Sequence, residues 1–208
     1  HPVQTGAYLN DDGMLCYTEK GRTTEIVHKD DIRIPGIHNV ANYLTAIAAV
    51  WGEVSIQSIV QVAKNFGGVE HRIEFVREID GVKWYNDSIA TSPTRVIAGL
   101  NSFNQKLIVI AGGYDKHSEY DEWIEAFGDK VKYLVLIGQT RDKIAECARS
   151  HGFTDIMYAE DMPEAVRVCA AYANAGDNVL LSPACASWGM FEDYEQRGRI
   201  FKELVRNL

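Results

Sequence analysis

The sequence has little cysteine, and its cysteines are far apart. Only four occur among 208 residues, and no two have the C-x-x-C spacing of a zinc or redox site. The cysteine spacing therefore suggests neither a disulfide framework nor a zinc site, and we expect a reducing cytoplasm. No apolar run reaches the roughly eighteen residues of a membrane-spanning helix, and the first residues do not resemble a signal peptide. A cytoplasmic protein without a membrane partner is the expectation.

Positive charge is also in deficit. The chain has 21 Lys and Arg residues against 29 Asp and Glu residues, a net charge of -8. The phosphate backbone of a nucleic acid and an anionic membrane both require a basic surface, so neither is expected as the main partner. Small anionic ligands remain possible, because they need only a local cluster of cations.

Two glycine-rich nucleotide motifs are missing as well. Neither the dinucleotide pattern G-x-G-x-x-G nor the phosphate loop G-x-x-x-x-G-K-[ST] occurs. Gly112-Gly113 lacks the third glycine and the acidic residue of a dehydrogenase site. The chain opens on His1-Pro2-Val3 without an initiating Met, so we expect a fragment of a longer protein.

The pattern of the chain changes at Gly67-Gly68, which predicts a domain boundary. Before it, short β-type runs predict a hairpin at a sheet edge, stopped by Pro35-Gly36. Residues 38–50 then have helical spacing and predict a mostly buried helix. Ser55 is expected to cap a second helix that ends near Phe66.

Residues 69–208 alternate strand and helix patterns, which is typical of an open, largely parallel sheet. Asp80-Gly81 predicts a type I′ hairpin turn, and Ser92-Pro93 predicts the start of a helix. Right-handed crossovers would place helices on both faces of the sheet. The predicted fold class is therefore α/β, with a Rossmann-like, mostly parallel sheet. The later helices are expected to begin near Ser118, Thr140, Met162 and Met190.

Small residues fill the turn after the last predicted strand. The apolar run of residues 178–181 is followed by S-P-A-C-A-S, from Ser182 to Ser187. Such a turn leaves backbone amides and hydroxyls free to hold an anion at the carboxyl edge of a sheet. From these residues alone, a ligand site and a turn needed only for close packing are both open.

Other polar groups also fall at strand ends. Arg72, after His71, could reach a phosphate or be a solvated surface residue. Asp87 could accept hydrogen bonds from ribose hydroxyls and Thr91 could donate to an anion, although ordinary capping explains both residue types. Lys116 follows the glycine pair and supplies one cation.

Asn39 and Asn42 are three residues apart near the start of the first predicted helix, so they share one helix face. Their amides could read a base edge. Helix capping is the alternative interpretation of this pair.

Taken in chain order, these motifs resemble the Mur ligases, ATP-dependent enzymes that add amino acids to the peptidoglycan precursor. The shared signature comprises G-I-H-N from Gly36, E-H-R from Glu70 and D-S-x-A-T from Asp87. The S-P-A-C-A-S turn, with Y-E-Q-R-G from Tyr194, resembles the members that add D-glutamate. The resemblance covers nearly the whole chain. It implies that residues 1–68 end a central ATP-binding domain and that residues 69–208 form a C-terminal, Rossmann-like amino-acid-binding domain.

The same resemblance implies a reaction and its partners. ATP would phosphorylate the alanyl carboxylate of UDP-N-acetylmuramoyl-L-alanine, and the amine of D-glutamate would attack the acyl phosphate. The full-length enzyme would be a cytoplasmic monomer that needs ATP and Mg²⁺. Arg72 and Lys116 would be its catalytic residues in this chain. The D-glutamate pocket would contain Thr91, Lys116, Ser187 and Tyr194, and the ATP site would contain Asn39, Asn42, His71, Arg72 and Asp87.

Two departures from the family pattern limit this interpretation. Ile89 stands where some members have Lys in a D-S-K-A-T motif. The family's phosphate loop and magnesium ligands have no counterpart, so we predict no metal ligand here and expect the fragment alone to be inactive. Another Mur-type amide ligase, such as one acting on folate, and a noncatalytic Rossmann-like binding module remain as alternatives.

Overall fold

The computed structural model describes residues 4–34 and 36–208, and the chain divides into two compact units, His1–Gly68 and Val69–Leu208. The interior start predicted from His1-Pro2-Val3 and the strand stop predicted at Pro35 lie outside the described residues. No helix in the described ranges has the length and apolar character needed to cross a bilayer.

The first unit contains a three-stranded antiparallel sheet and two helices. The predicted hairpin is present as β1 and β2, and a third strand extends it in the order β1-β2-β3. A short 3₁₀ turn, Lys29–Asp31, follows the sheet. The strands and helices are β1 (Gly6–Leu9), β2 (Met14–Glu19), β3 (Arg22–His28), α1 (Ile37–Val50) and α2 (Ile56–Asn65).

Helix α1 has close to its predicted bounds, but the prediction of a mostly buried helix is wrong. Its buried positions are Asn39, Val40, Tyr43 and Ile47, which form one face, and the apolar ones join a cluster with the sheet and α2. Within the described residues of this unit, the sheet and α2 pack against only that face of α1. The predicted cap of α2 is confirmed, because the Ser55 side chain accepts a hydrogen bond from Ser58 N at 3.1 Å.

The second unit is an α/β fold around a six-stranded sheet with the order β4-β5-β9-β6-β7-β8. Only the pairing of β4 with β5 is antiparallel. The strands are β4 (Glu74–Ile79), β5 (Val82–Asn86), β6 (Leu107–Gly112), β7 (Val131–Ile137), β8 (Ile156–Tyr158) and β9 (Asn178–Leu181). The helices are α3 (Pro93–Leu100), α4 (Asp121–Glu125), α5 (Arg141–Ser150), α6 (Met162–Tyr172) and α7 (Tyr194–Arg206).

Helices cover both faces of this sheet, as predicted. Helices α3, α4 and α5 pack on one face, while α6 and α7 pack on the other. Every residue of the central strands β6 and β9 is buried, which explains why both read as continuous apolar runs. Phe201 and Val205 anchor α7 with fully buried side chains, each contributing about 1.5–3 kcal/mol of hydrophobic stabilisation.

The predicted turns agree with the structure more closely than the predicted helix starts do. The central residues of the β4–β5 turn, Asp80 and Gly81, have φ values of 51° and 77°, as a type I′ turn requires. Ser92 lies at the N-cap position of α3, although its side chain makes no cap hydrogen bond.

The predicted start of α7 near Met190 is wrong, because the helix begins at Tyr194. Met190 packs against the core from the preceding loop and so extends the apolar spacing beyond the helix. Asp193 sets the true start by accepting a hydrogen bond from Gln196 N at 2.6 Å. Helix α4 likewise starts at Asp121 rather than near Ser118, and is only five residues long.

Candidate functional site

Three loops of the second unit meet at the carboxyl edge of its sheet. Strands β5, β9 and β6 are parallel neighbours in that order, so the loops that follow them leave the sheet side by side. Thr91 follows β5, Lys116 follows β6 and Ser187 follows β9. Tyr194 begins the helix at the end of the β9 loop. The topology thus brings the four residues predicted for the amino-acid pocket to one edge.

Backbone hydrogen bonds join these loops. Ala184 N donates to Ala90 O at 3.0 Å, and Tyr114 N donates to Ala186 O at 2.9 Å in an isolated antiparallel bridge. The bridge requires glycine at Gly113, where φ is 149° and a Cβ atom would overlap Ala186 O. The glycine pair therefore allows close loop packing, whether or not a ligand also approaches it.

A buried arginine of α7 fixes the loops that follow β5 and β9. Arg197 is fully buried and donates to Ser88 Oγ at 2.9 Å, to Ser88 O at 2.8 Å and to Cys185 O at 3.1 Å. Ser88 Oγ in turn donates to Tyr194 O at 2.7 Å. Burial lowers the pKa of Arg197 to about 10, which still leaves the guanidinium charged at neutral pH.

Three side chains at this edge have polar groups that no other described residue engages. Lys116 is exposed and forms no ion pair, while the hydroxyls of half-buried Thr91 and buried Ser187 make no hydrogen bond within the described ranges. The Tyr194 hydroxyl donates to Glu195 Oε1 at 3.3 Å. One cation and two free hydroxyls suit a small carboxylate ligand.

His71 is buried beneath Tyr194 rather than presented to solvent. The two rings meet edge to face with centroids 5.9 Å apart, and only 4% of His71 is exposed. Asn86 Nδ2 donates to His71 Nδ1 at 2.9 Å and to Glu74 Oε2 at 3.0 Å. A Cβ atom at Gly198 would overlap His71 Nδ1, so the glycine of the E-Q-R-G sequence makes room for the imidazole.

Lys202 completes this group from α7. Its ammonium donates to Glu70 Oε1 at 2.6 Å and to Glu74 Oε1 at 2.9 Å, and the residue is only 6% exposed. Hydrogen bonds from Lys202 lower the pKa of Glu70. These two carboxylates, together with His71, lie close enough to hold a metal ion, but Lys202 already supplies the compensating cation.

Asp87 and Arg72 have opposite environments. Asp87 is 3% exposed and accepts hydrogen bonds from Ser182 Oγ at 2.7 Å and from Ile73 N at 3.3 Å. Arg72 is exposed, and in the part of the chain that the structure describes its guanidinium forms no hydrogen bond or ion pair. The guanidinium is available to an anion, whereas Asp87 braces the strand ends.

Asn39 and Asn42 belong to the first unit. Asn42 Nδ2 donates to Asn39 Oδ1 at 3.3 Å across one turn of α1, as their shared helix face predicts. Gly36 occupies the N-cap position with φ 101° and has no side chain to cap the helix.

Comparison with known proteins identifies the family. The family described as "Mur ligase, glutamate ligase domain" matches residues 71–185, more than half of the chain. The chain belongs to the Mur ligase family. This match contains Asp87 and Lys116 and ends at Cys185 of the S-P-A-C-A-S turn.

Similar Mur ligases include two curated relatives named UDP-N-acetylmuramoylalanine–D-glutamate ligase. The protein of Acetivibrio thermocellus is 52% identical, with 99% of this chain and 46% of the relative covered. That of Clostridium acetobutylicum is 48% identical, with 99% and 45% covered. The chain thus spans less than half the length of these relatives.

Solved structures share the fold. The UDP-N-acetylmuramate-alanine ligase of Thermotoga maritima has a TM-score of 0.65 at 18% identity, covering 94% of this chain and 44% of that one. A folylpolyglutamate synthase of Mycobacterium tuberculosis, complexed with ADP and AMPPCP, has a TM-score of 0.66 at 15% identity, covering 94% and 46%. The predicted α/β fold class is confirmed.

Sequence reasoning missed the residues that support this candidate site. Arg197 and Gly198 stand out in the sequence only as part of the Y-E-Q-R-G motif, and no pattern singles out Glu74 or Lys202. A signal for Arg197 existed, since it lies three and four residues from the apolar positions Ile200 and Phe201 on the buried side of α7. A charged residue on an apolar helix face implies buried acceptors.

Asp87 gives this Mur ligase chain a testable pH dependence. Burial raises its pKa to about 7 from an ordinary value near 4, against the opposing hydrogen bonds from Ser182 and Ile73. The folded state therefore binds more protons than the unfolded state between these values. We expect the contribution of Asp87 to the free energy of unfolding to fall as the pH rises from about 4 through 7.

The measurement is urea unfolding at several pH values, with Asp87→Asn as the comparison. Because Asn does not titrate, the difference in unfolding free energy between the two proteins should change across this range and stay constant above it. A difference that does not vary with pH would contradict the raised pKa.

Proposed function

We propose that this chain is part of an ATP-dependent ligase that joins D-glutamate to UDP-N-acetylmuramoyl-L-alanine in peptidoglycan synthesis. The observation that carries the proposal is the identity of about half of its residues, along 99% of the chain, with relatives named as D-glutamate ligases. Residues 69–208 would be the amino-acid-binding domain, and residues 1–68 would be part of the ATP-binding domain.

The free groups at the sheet edge support a pocket for D-glutamate. Lys116 would neutralise one carboxylate of this dianion, and the Ser187 and Thr91 hydroxyls would donate hydrogen bonds to carboxylate oxygens. The Tyr194 ring would form a wall, held in place by the hydrogen bond from Ser88 to its carbonyl. A ligand fixed in this way presents its amine in one orientation, which lowers the entropic cost of the amide-forming step.

Each unit of the chain, taken by itself, offers a group suited to ATP. Arg72 has a free guanidinium suited to a phosphate, and Asn42 has an exposed amide. Asp87 and His71 are buried, so we assign them to positioning: Asp87 braces the loop that contains Thr91, and His71 supports Tyr194. When bound, ATP supplies the phosphoryl group that activates the acceptor carboxylate, and Mg²⁺ would accompany it in the full-length enzyme.

The experiment is an amide-forming assay on the full-length protein. It contains ATP, Mg²⁺, UDP-N-acetylmuramoyl-L-alanine and one amino acid, and follows phosphate release together with product mass. We expect turnover with D-glutamate and at least about a hundredfold less with L-glutamate, because the wrong enantiomer cannot pair both carboxylates with the pocket while its amine keeps the reacting orientation.

Replacing the acceptor by a folate substrate tests whether the chain is part of another amide ligase of this fold. Turnover with folate and none with the nucleotide precursor would contradict the proposal. A folded full-length protein that is inactive with every acceptor would instead favour a noncatalytic binding module.

A further inference from the structure

Two neighbouring helices present four potential metal ligands to one another. Helix α4 provides Asp121 and Glu125, and α5 provides Cys147, with His151 directly after it. Each pair is spaced i, i+4, which puts both of its side chains on one helix face. This cluster, Asp121, Glu125, Cys147 and His151, shares no residue with the proposed D-glutamate pocket.

The Nδ1 atom of the His151 imidazole faces its own helix, 3.0 Å from Cys147 O and 3.2 Å from Ser150 Oγ. The carbonyl can accept the Nδ1 proton, because a carbonyl oxygen only accepts. With the proton there, the neutral ring has its lone pair on Nε2, which faces the two carboxylates of α4. Histidines that bind metals commonly have this arrangement, in which a backbone carbonyl takes the other ring proton.

The distances around Nε2 are too long for hydrogen bonds. Nε2 is 3.6 Å from Asp121 Oδ1 and 3.6 Å from Glu125 Oε1, whereas an N–H···O bond is about 2.7–3.2 Å. Ligands about 2.0–2.2 Å from a tetrahedral zinc ion are separated from one another by about 3.3–3.6 Å. Each carboxylate therefore lies from the imidazole at nearly the spacing of two ligands that share one ion.

Cys147 can supply the fourth ligand. One ligand atom each of Asp121, Cys147 and His151 lies within 4.8 Å of the other two, and Cys147 is half-buried. Burial and the neighbouring Asp121 and Glu119 carboxylates raise the pKa of the Cys147 thiol. A bound zinc ion reverses this, because it deprotonates a coordinating thiol outright.

We propose that Asp121, Glu125, Cys147 and His151 form a surface site for a divalent transition metal, with Zn²⁺ as the preferred ion. Mixed sulfur, nitrogen and oxygen ligands in a four-coordinate set favour Zn²⁺ over Mg²⁺ or Ca²⁺, which take oxygen ligands alone. The ion would join α4 to α5. Its role would be structural, since all four ligand positions come from the protein.

The test uses Co²⁺ as a spectroscopic substitute for Zn²⁺ on the untagged, metal-depleted chain. We expect one equivalent of Co²⁺ to produce tetrahedral d–d bands and a thiolate-to-cobalt charge-transfer band. Cys147→Ser should abolish the charge-transfer band. His151→Gln should weaken Zn²⁺ binding, measured by calorimetry, at least about tenfold. Zn²⁺ should also raise the midpoint of thermal unfolding for the unsubstituted chain more than for either variant.

His28→Gln is the matched control, because His28 also lies near a carboxylate but has no cysteine beside it. His28 Nδ1 is 3.5 Å from Asp30 Oδ2, and the variant should bind Zn²⁺ and Co²⁺ unchanged. Circular dichroism checks that each variant is folded. The proposal is overturned if the chain binds neither ion, if the charge-transfer band survives in Cys147→Ser, or if His151→Gln and His28→Gln bind Zn²⁺ equally.

Discussion

Replacing Arg197 by Met is expected to lower the free energy of unfolding by about 3–5 kcal/mol. The substitution keeps an apolar side chain of similar length but removes every donor that reaches Ser88 Oγ, Ser88 O and Cys185 O. These acceptors are buried, so each loses a partner that water cannot easily replace. Urea unfolding of the chain, followed by circular dichroism, measures the loss.

Arg199→Met is the matched control on the same helix. Arg199 is exposed, and among the described residues its one ion pair is with Glu195 Oε2 at 3.4 Å, so its loss should change the unfolding free energy by less than about 1 kcal/mol. Arg197→Lys tests the geometry, because an ammonium retains the charge but cannot reproduce the guanidinium fork. Equal stability of the Arg197→Met and Arg199→Met variants would show that the buried hydrogen bonds contribute little.

The effect of Arg197 should extend to the proposed pocket. Its guanidinium connects the β5 loop, through Ser88, to the β9 loop, through Cys185, and Ser88 also holds the backbone of Tyr194. Removing it frees two loops that must keep Thr91 and Ser187 in place. Affinity for D-glutamate should therefore fall even at temperatures where the variant remains folded.

The sequence was a reliable guide to the sheet because each strand has a local signal. The run Asn178–Leu181 is short and apolar, and Asp80-Gly81 can adopt the positive φ values of a tight turn. Parallel neighbours could also be expected to bring the ends of β5, β6 and β9 to one edge. Thus the loops of the candidate site followed from pattern alone.

Contacts between distant residues could not be predicted in the same way. Nothing local indicates that Ser182 donates to Asp87, 95 residues earlier, or that Lys202 donates to Glu70 and Glu74. The same residue type at a strand end can contact a ligand or can form buried hydrogen bonds that support neighbouring loops. Only the burial of its side chain distinguishes these two roles. Asp87 and His71 are buried, whereas Lys116 and Arg72 are exposed.

Lys116→Ala in the full-length enzyme is expected to raise the Michaelis constant for D-glutamate about tenfold to a hundredfold. Lys116 is the exposed cation on the β6 loop, and losing a charge-assisted hydrogen bond to a carboxylate costs about 1.5–3 kcal/mol. The Michaelis constant for ATP should change little if Lys116 contacts only the amino acid. Steady-state kinetics with each substrate varied in turn measures both constants.

Lys83→Ala is the matched control for this substitution. Lys83 is also exposed, but it pairs with Asn178 at the amino end of β9, the opposite edge of the sheet from the three loops. Its loss removes the same charge from the molecule without removing it from the pocket, so kinetics should match the unsubstituted enzyme. If both variants raise the Michaelis constant alike, the cause is overall charge. If neither variant raises it, Lys116 does not bind D-glutamate, and another cationic group must pair with the D-glutamate carboxylate.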